Sequence, residues 1–229
     1  MNRMPSITIF ALLLPVTALA ATRSYETAAF ESVSVAAGVD AQISLGTSRS
    51  VVAETRSEDF EDLRIEVQGN VLRIDRPKGR WSFFRRPDYV VRIVTPVLRS
   101  VTASSGSDVD VKGTPGGDFT VEASSGSDVN VSLIKAGNVK AHASSGSDLE
   151  LSGTCTALEA ETSSGSDLDA EDLKCETVSV QTSSGSDVSV FASRSVTGKA
   201  SSGSDVHISG APPAVQVDKS SGADVTVGK

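Results

Sequence analysis

Between residues 103 and 225 the chain writes one small polar tract seven times. It reads SSGSD at 104–108, 124–128, 144–148, 163–167, 183–187 and 201–205, and SSGAD at 220–224. The central glycines (Gly106, Gly126, Gly146, Gly165, Gly185, Gly203, Gly222) are spaced by 20, 20, 19, 20, 18 and 19 residues. A period this short and this even points to a solenoid, in which each repeat stacks on the last. Apolar residues stand three and five positions after each glycine, from Val109 and Val111 to Val225 and Val227, with polar residues between. Others precede the next glycine by seven: Phe119, Val139, Leu158, Val178, Val196 and Val215. That alternation of period two is a strand with one buried face. Valine is plentiful, and valine packs well on a pleated surface.

The pattern therefore predicts an all-β chain. It is a right-handed parallel β-helix (solenoid) of about seven regular rungs with an irregular N-terminal β cap. Equivalent positions in successive rungs lie over one another at about 4.8 Å, so a residue suited to one tight place recurs in every rung. Glycine supplies a bend with positive φ or a close backbone approach. The flanking serines bond to neighbouring backbone or to each other. A slip of one residue would turn every valine outward, so the tract acts as a register device.

The first twenty residues read as an export signal. Arg3 gives a positive start, Ile7 to Val16 is mostly apolar, and Ala18-Leu19-Ala20 fits a cleavage site before Ala21. Expected boundaries are a signal peptide at 1–20, an N-terminal strand region at 21–100 and the regular repeats at 101–229. Residues 24–227 form one continuous domain. In 21–100 the strands read as FESVSV, VDAQISL, SVVAE, a hairpin LRIEV-QGN-VLRID, and YVVRIV. SEDFEDL (57–63) reads as one helical turn with Ser57 as its N-cap. After Ala21 no stretch reads as a membrane span.

The chain carries 29 acidic and 21 basic residues, a net charge of −8. Loss of Arg3 with the leader makes it −9. That balance disfavours nucleic acid and anionic lipid as partners. Within this acidic chain, Arg80, Arg85 and Arg86 cluster with Trp81, Phe83 and Phe84 in KGRWSFFRRPDY (78–89). The segment is a candidate binding loop for a glycan or acidic partner. Its alternative is a cover for the coil, with the charges left in water.

Stacking puts Asp108, Asp128, Asp148, Asp167, Asp187, Asp205 and Asp224 in one column. Two unit charges about 4.8 Å apart repel by about 0.9 kcal/mol even in bulk water. The carboxylates must splay and cap backbone N–H groups, take up protons, or share cations such as calcium. Local capping is the favoured expectation. Cys155 and Cys175 fall ten residues before their glycines, in the same phase of adjacent rungs. They are disulfide candidates in an exported chain, or else two stacked free thiols.

No catalytic constellation stands out. His142 and His207 lie in different phases, and sevenfold serines suit architecture better than a single nucleophile. No zinc spacing, phosphate loop or dinucleotide fingerprint is present, so no cofactor is expected. A polysaccharide-active β-helix enzyme and a calcium-dependent surface protein are the alternatives to a non-enzymatic role.

The residues also resemble a family. FESVSVAAGVDAQISLG, LRIEVQGNVLRI and VVRIVTPVLRSVTASSGSDV, followed by glycine-centred rungs, are similar to the bacterial head GIN domain proteins, described as "putative autotransporter adhesins". The resemblance covers about residues 28–227. The family's rung tends to S-G-S-G-D, where this chain has S-S-G-S-D. The resemblance implies a β-helical protein of the envelope, periplasmic or on the outer surface, with a surface glycan or protein as partner. It carries no catalytic residues to transfer.

Overall fold

The computed structural model describes residues 20–57, 59–77, 88–114 and 116–228. All regular structure among them is β, with no helix. The leader (1–19) and residues 78–87 lie outside the described part.

The repeats build a β-solenoid. Strand β8 (Ser100–Ser104) meets a corner and leaves it as β9 (Asp108–Lys112). Then follow β10 (Phe119–Ser124), β11 (Asp128–Ser144), β12 (Asp148–Ser163), β13 (Asp167–Thr182), β14 (Asp187–Ala200), β15 (Asp205–Ser209), β16 (Ala214–Lys219) and β17 (Asp224–Val227). Every pairing in this series is parallel, and the segments on either side of each corner keep one register. Val109, Val129, Leu149, Leu168, Val188, Val206 and Val225 form one column. The repeat corners therefore stand in line, as the period requires. Seven corners enclose six turns, one fewer than the seven rungs expected from counting motifs. Register breaks fall on the far side of the coil, between Val131 and Ile134 and between Glu150 and Gly153. There the segment length varies from repeat to repeat.

The interior is a column of small aliphatic side chains. Val109, Val121, Val131, Leu149, Val180 and Ile208 are all buried. Their outward neighbours are charged or polar and are exposed or half-buried. Each buried aliphatic contributes about 1.5–3 kcal/mol relative to exposure, which makes the inward register the one the coil keeps.

At each corner two successive residues take the left-handed conformation. Ser105 and Gly106 have φ of 61° and 71°, and the pattern repeats through Ser221 and Gly222 at 52° and 81°. Glycine is needed at the second place for its backbone and not for space. A Cβ on Gly165 or Gly185 would meet nothing within 4 Å, so of the two roles weighed for this glycine the positive φ is the one used. The serine after glycine turns inward. Ser107, Ser127, Ser147, Ser166, Ser186 and Ser204 are 0 % exposed.

These serines bond to backbone. Ser147 Oγ lies 2.9 Å from the carbonyl oxygens of both Ser144 and Ala123, and it accepts from Ser144 N–H. Ser147 N–H donates to Ser166 Oγ, and Ser166 N–H to Ser186 Oγ. Gly106, Gly126, Gly146, Gly165, Gly185 and Gly203 each donate N–H to the carbonyl of the left-handed serine one coil on. The backbone ladder thus continues through the bend and satisfies the glycine N–H groups there, while the buried Ser107 Oγ has no partner.

The N-terminal region departs from sequence order. Strands β2 (Ser32–Ala36) and β3 (Asp40–Leu45) form a coil paired on one side with β8 and β9. On the other side they pair with β6 (Val71–Asp75) and β7 (Tyr89–Thr95). The earliest coil is thus bedded between two later ones. The link from β7 to β8 crosses it through buried Leu98, with Arg99 N–H bonded to the Glu31 carbonyl at 2.7 Å. Antiparallel strands close the end: β4 (Ser50–Thr55) on β7, β1 (Ala21–Ser24) on β4, and β5 (Arg64–Gln68) on β6.

The described residues of the 57–63 segment are not helical. They form a turn in which Glu61 N–H donates to Asp59 Oδ1 at 2.8 Å and Leu63 N–H to the Phe60 carbonyl. An aspartate side chain competes well for a nearby N–H, which favours turn over helix. The turn lays Phe60 and Leu63 against the core.

Candidate interaction surface

Because inward positions are spent on packing, function must lie in the outward ladders and end segments. The seven motif aspartates are exposed and form a column along one edge of the β9–β17 flank. The corner does not use them as caps. The backbone N–H groups of Asp148, Asp167, Asp187, Asp205 and Asp224 donate to the serine carbonyl of the preceding coil instead. An Asx turn would engage the N–H two residues on, which here belongs to the parallel strand ladder.

Beside the column runs a second outward row, Asp110, Asn130, Glu150 and Asp169, in which Asn130 Nδ2 donates to Glu150 at 3.2 Å. Together the rows line a shallow acidic concavity of about 500 Å³. Among the described residues, no three His, Cys, Asp or Glu side chains converge in a metal-holding group.

The column has an eighth member that the motif search passes over. Ala37-Gly38-Val39-Asp40 occupies the corner of the β2–β3 coil, and Ala37 and Gly38 have φ of 65° and 68°. Asp40 Oδ1 accepts the N–H of Asp108 at 3.3 Å. Burial, then the nearby charges of Asp88 and Asp110, push the Asp40 carboxyl above the usual range despite this bond and Arg76. Burial, then Asp40 and Asp110, push Asp108 up as well. The signal was available in sequence: small-small-Gly-x-Asp at 36–40 keeps the motif's spacing without its serines.

The opposite flank, built on β10 to β14, is mixed in charge. Lys140 Nζ lies 2.9 Å from Glu159 and His142 Nδ1 lies 3.6 Å from Glu161, each pair one coil apart. A shallow concavity of about 540 Å³ crosses these ladders over Asn138, Ala157 and Thr177. His207, on the acidic flank, bonds to Thr226. The two histidines stand on different flanks, each held by a neighbour in its own ladder.

The binding candidates Arg80, Trp81, Phe83, Phe84, Arg85 and Arg86 lie outside the described residues. Their flanks are placed: β6 ends at Asp75 and β7 starts at Tyr89. Tyr89 belongs to the core and not to that loop. It is 1 % exposed, stacks on Phe60 at 6.0 Å, and sits beneath the Arg76 guanidinium at 4.9 Å. Its hydroxyl donates to the Asp59 carbonyl at 2.8 Å and contacts the Asp62 carboxylate. Burial and that carboxylate hold the phenol well above its usual pKa.

Cys155 and Cys175 are register partners on β12 and β13, with Cα atoms 4.5 Å apart, and are joined as a disulfide.

This architecture is a β-solenoid. The family described as "Putative auto-transporter adhesin, head GIN domain" matches residues 29–212, and the chain belongs to it. Among solved structures, one described as a putative adhesin from Bacteroides fragilis superposes with a TM-score of 0.84 at 14% identity, covering 92% of this chain and 98% of that one. A putative lipid binding protein from Parabacteroides distasonis gives 0.69 at 14% identity, covering 90% and 96%. A putative adhesin from Parabacteroides merdae gives 0.67 at 12% identity, covering 92% and 96%. At these identities the likeness is one of fold. A comparison with curated proteins found no match.

Proposed function

We propose that the chain is a non-enzymatic, exported envelope protein, periplasmic or on the outer surface, that works as an adhesin-like or scaffold module. It would present a solenoid flank or the 78–87 segment to a surface glycan or protein. The observation that carries this is the use made of the repeated polar residues. The serines after glycine face inward and bond to backbone, while the outward acids and histidines stand in ladders, each beside its own repeat. Hydrolysis needs a nucleophile, a base and an orienting group within reach of one another, and ladders favour extended contact instead. Family membership and adhesin-like neighbours support the same reading. The apolar run ahead of Ala21 supports export, and no helix among the described residues is long and apolar enough to cross a membrane.

The test is fractionation of the native host followed by capture of envelope glycans and proteins on the purified chain. A Trp81→Ala, Phe84→Ala variant runs beside it. Capture from the envelope fraction that the variant loses is expected. Equal capture by both removes the aromatic segment from the account. New reducing ends or unsaturated products on incubation with polysaccharides would overturn the non-enzymatic reading.

A further inference from the structure

The two flanks offer different surfaces. The concavity on the β9–β17 flank is lined by acids. On the opposite flank the concavity of about 540 Å³ crosses β10 to β14. A second, of about 390 Å³, shares Ser179 and Thr197 with it and continues to Gln216 on β16. The two form one trough running across the coils. From β11 through β12, β13 and β14 to β16 it passes four coil steps of about 4.8 Å, about 19 Å in all. Side-chain length makes the trough. Ala157, Thr177 and Ser195 follow one another in one ladder, and Ser179 and Thr197 in the next. All five are short. Longer side chains rise around them: Lys140 and Glu159 further along the ladder of Ser179, and Gln181 and Lys199 in the ladder beyond.

The charged groups at the trough are engaged with one another. Lys140 Nζ lies 2.9 Å from Glu159, and Asn138 Nδ2 donates to Asp118 Oδ1 at 2.8 Å. The hydroxyls are not so engaged. Those of Ser179, Ser195 and Thr197 have no hydrogen-bond partner among the described residues. Thr177 Oγ1 reaches only the Thr156 carbonyl, at 3.4 Å. This is the reverse of the corner serines, whose hydroxyls face inward to backbone.

We propose that this trough binds a neutral glycan chain laid along the solenoid axis. The proposal rests on the reading above, in which a flank is presented to a surface glycan; it adds which flank and which class of glycan. Sugar hydroxyls both donate and accept, and the free serine and threonine hydroxyls do the same. An acidic chain would meet Glu159 and the repulsion of a molecule carrying −8. A cationic ligand is served better by the acidic flank. Protein partners anchor on aromatic or Arg side chains seated in well-packed pockets. This trough is shallow, and the exposed large hydrophobics Leu133, Val215 and Val227 lie outside its lining. Its length suits several pyranose rings in a row, each over the next coil. Every contact replaces one to water, so each is weak, and repetition along the chain supplies the avidity.

Amide NMR of the purified chain, titrated with cellohexaose and with mannohexaose, tests this. Glucose and a polygalacturonate fragment serve as short and acidic controls. Saturable shifts around Ser179 and Thr197 on β13 and β14 are expected with at least one neutral hexasaccharide. Binding should be weaker by about tenfold or more with glucose, which cannot span the coils, and with the acidic fragment. Ser179→Lys with Thr197→Lys fills the trough from two exposed strand positions and should abolish the shifts, whereas Asn130→Lys on the other flank should leave them. The shift map of the unaltered chain reads the site independently of either variant. No saturable shift with either hexasaccharide, shifts confined to the acidic flank, or binding indifferent to the paired substitution would overturn the proposal and leave the adhesin-like reading standing. Shifts at the trough accompanied by new reducing ends would keep the proposal and overturn the non-enzymatic reading instead.

Discussion

At the residue scale, the repeated serine earns its place only where the coil beside it offers a partner. Ser147 Oγ accepts the Ser144 N–H and has two backbone carbonyls in reach of its one proton, whereas Ser107 Oγ is buried with no hydrogen-bond partner in the structure. Ser107 faces the coil in which Val39 stands at the serine position. Losing a net hydrogen bond costs about 1 kcal/mol, and an unmade buried one costs more than its absence. Ser147→Ala should therefore lower stability by about 1–2 kcal/mol in a denaturant melt, and Ser107→Ala should leave it unchanged or raise it. Equal losses would show that the hydroxyl column is not the corner's fastening.

Asp40 permits a test against pH. A carboxyl whose folded-state pKa is raised binds its proton more tightly when folded, so stability falls as pH climbs through its range. The penalty is complete above the folded pKa and gone below the unfolded value of about 3.9. Asp40→Asn keeps an oxygen for the Asp108 N–H and removes the charge. It should melt above the wild type at pH 7, with the difference closing as pH falls towards about 4. A difference that does not change with pH would sink that explanation.

At the element scale, neighbouring coils are joined by backbone ladders and, once, by a covalent bond. The disulfide links β12 to β13 across a sequence separation of 20. A loop of that size constrains the unfolded chain by about 3 kcal/mol. The Cys155→Ser, Cys175→Ser variant should melt several degrees lower, and reductant should bring the wild type to the same temperature. A wild type insensitive to reductant, melting with the variant, would mean that the bridge adds nothing to the stacked ladders.

At the scale of the whole molecule, the bedded coil separates this chain from a simple stack. Stability in a solenoid is nearly a sum of coil and nearest-neighbour terms. Truncation after Gly210 removes the last coil and one interface. Deletion of residues 20–46 removes a coil held on both sides, and strands β6 and β8 have no register set for one another. The truncated chain should keep a cooperative melt at a lower temperature, and the deleted one should lose it. A cooperative melt after the deletion would show that the flanking coils close over the gap. The pairing of Ser32 with Ser100 also requires contact between distant segments, which slows folding.

Sequence alone determined what local periodicity can carry: strands of period two, a coil of about 20 residues, glycine corners in a line, cysteines in one phase. A repeat puts every copy in the same environment, so each confirms the next. It did not determine the destiny of single residues outside the repeat. Tyr89 read as one of a run of aromatics that either bind a partner or cover the coil, and residues 57–63 as a helical turn. Burial of the first and the turn of the second depend on the end of the solenoid they cover. Asp40 joined the acidic column only because β2 and β3 lie beside β8 and β9. That insertion was decided by tertiary structure, since strand alternation states which face is buried but not which coil will be its neighbour.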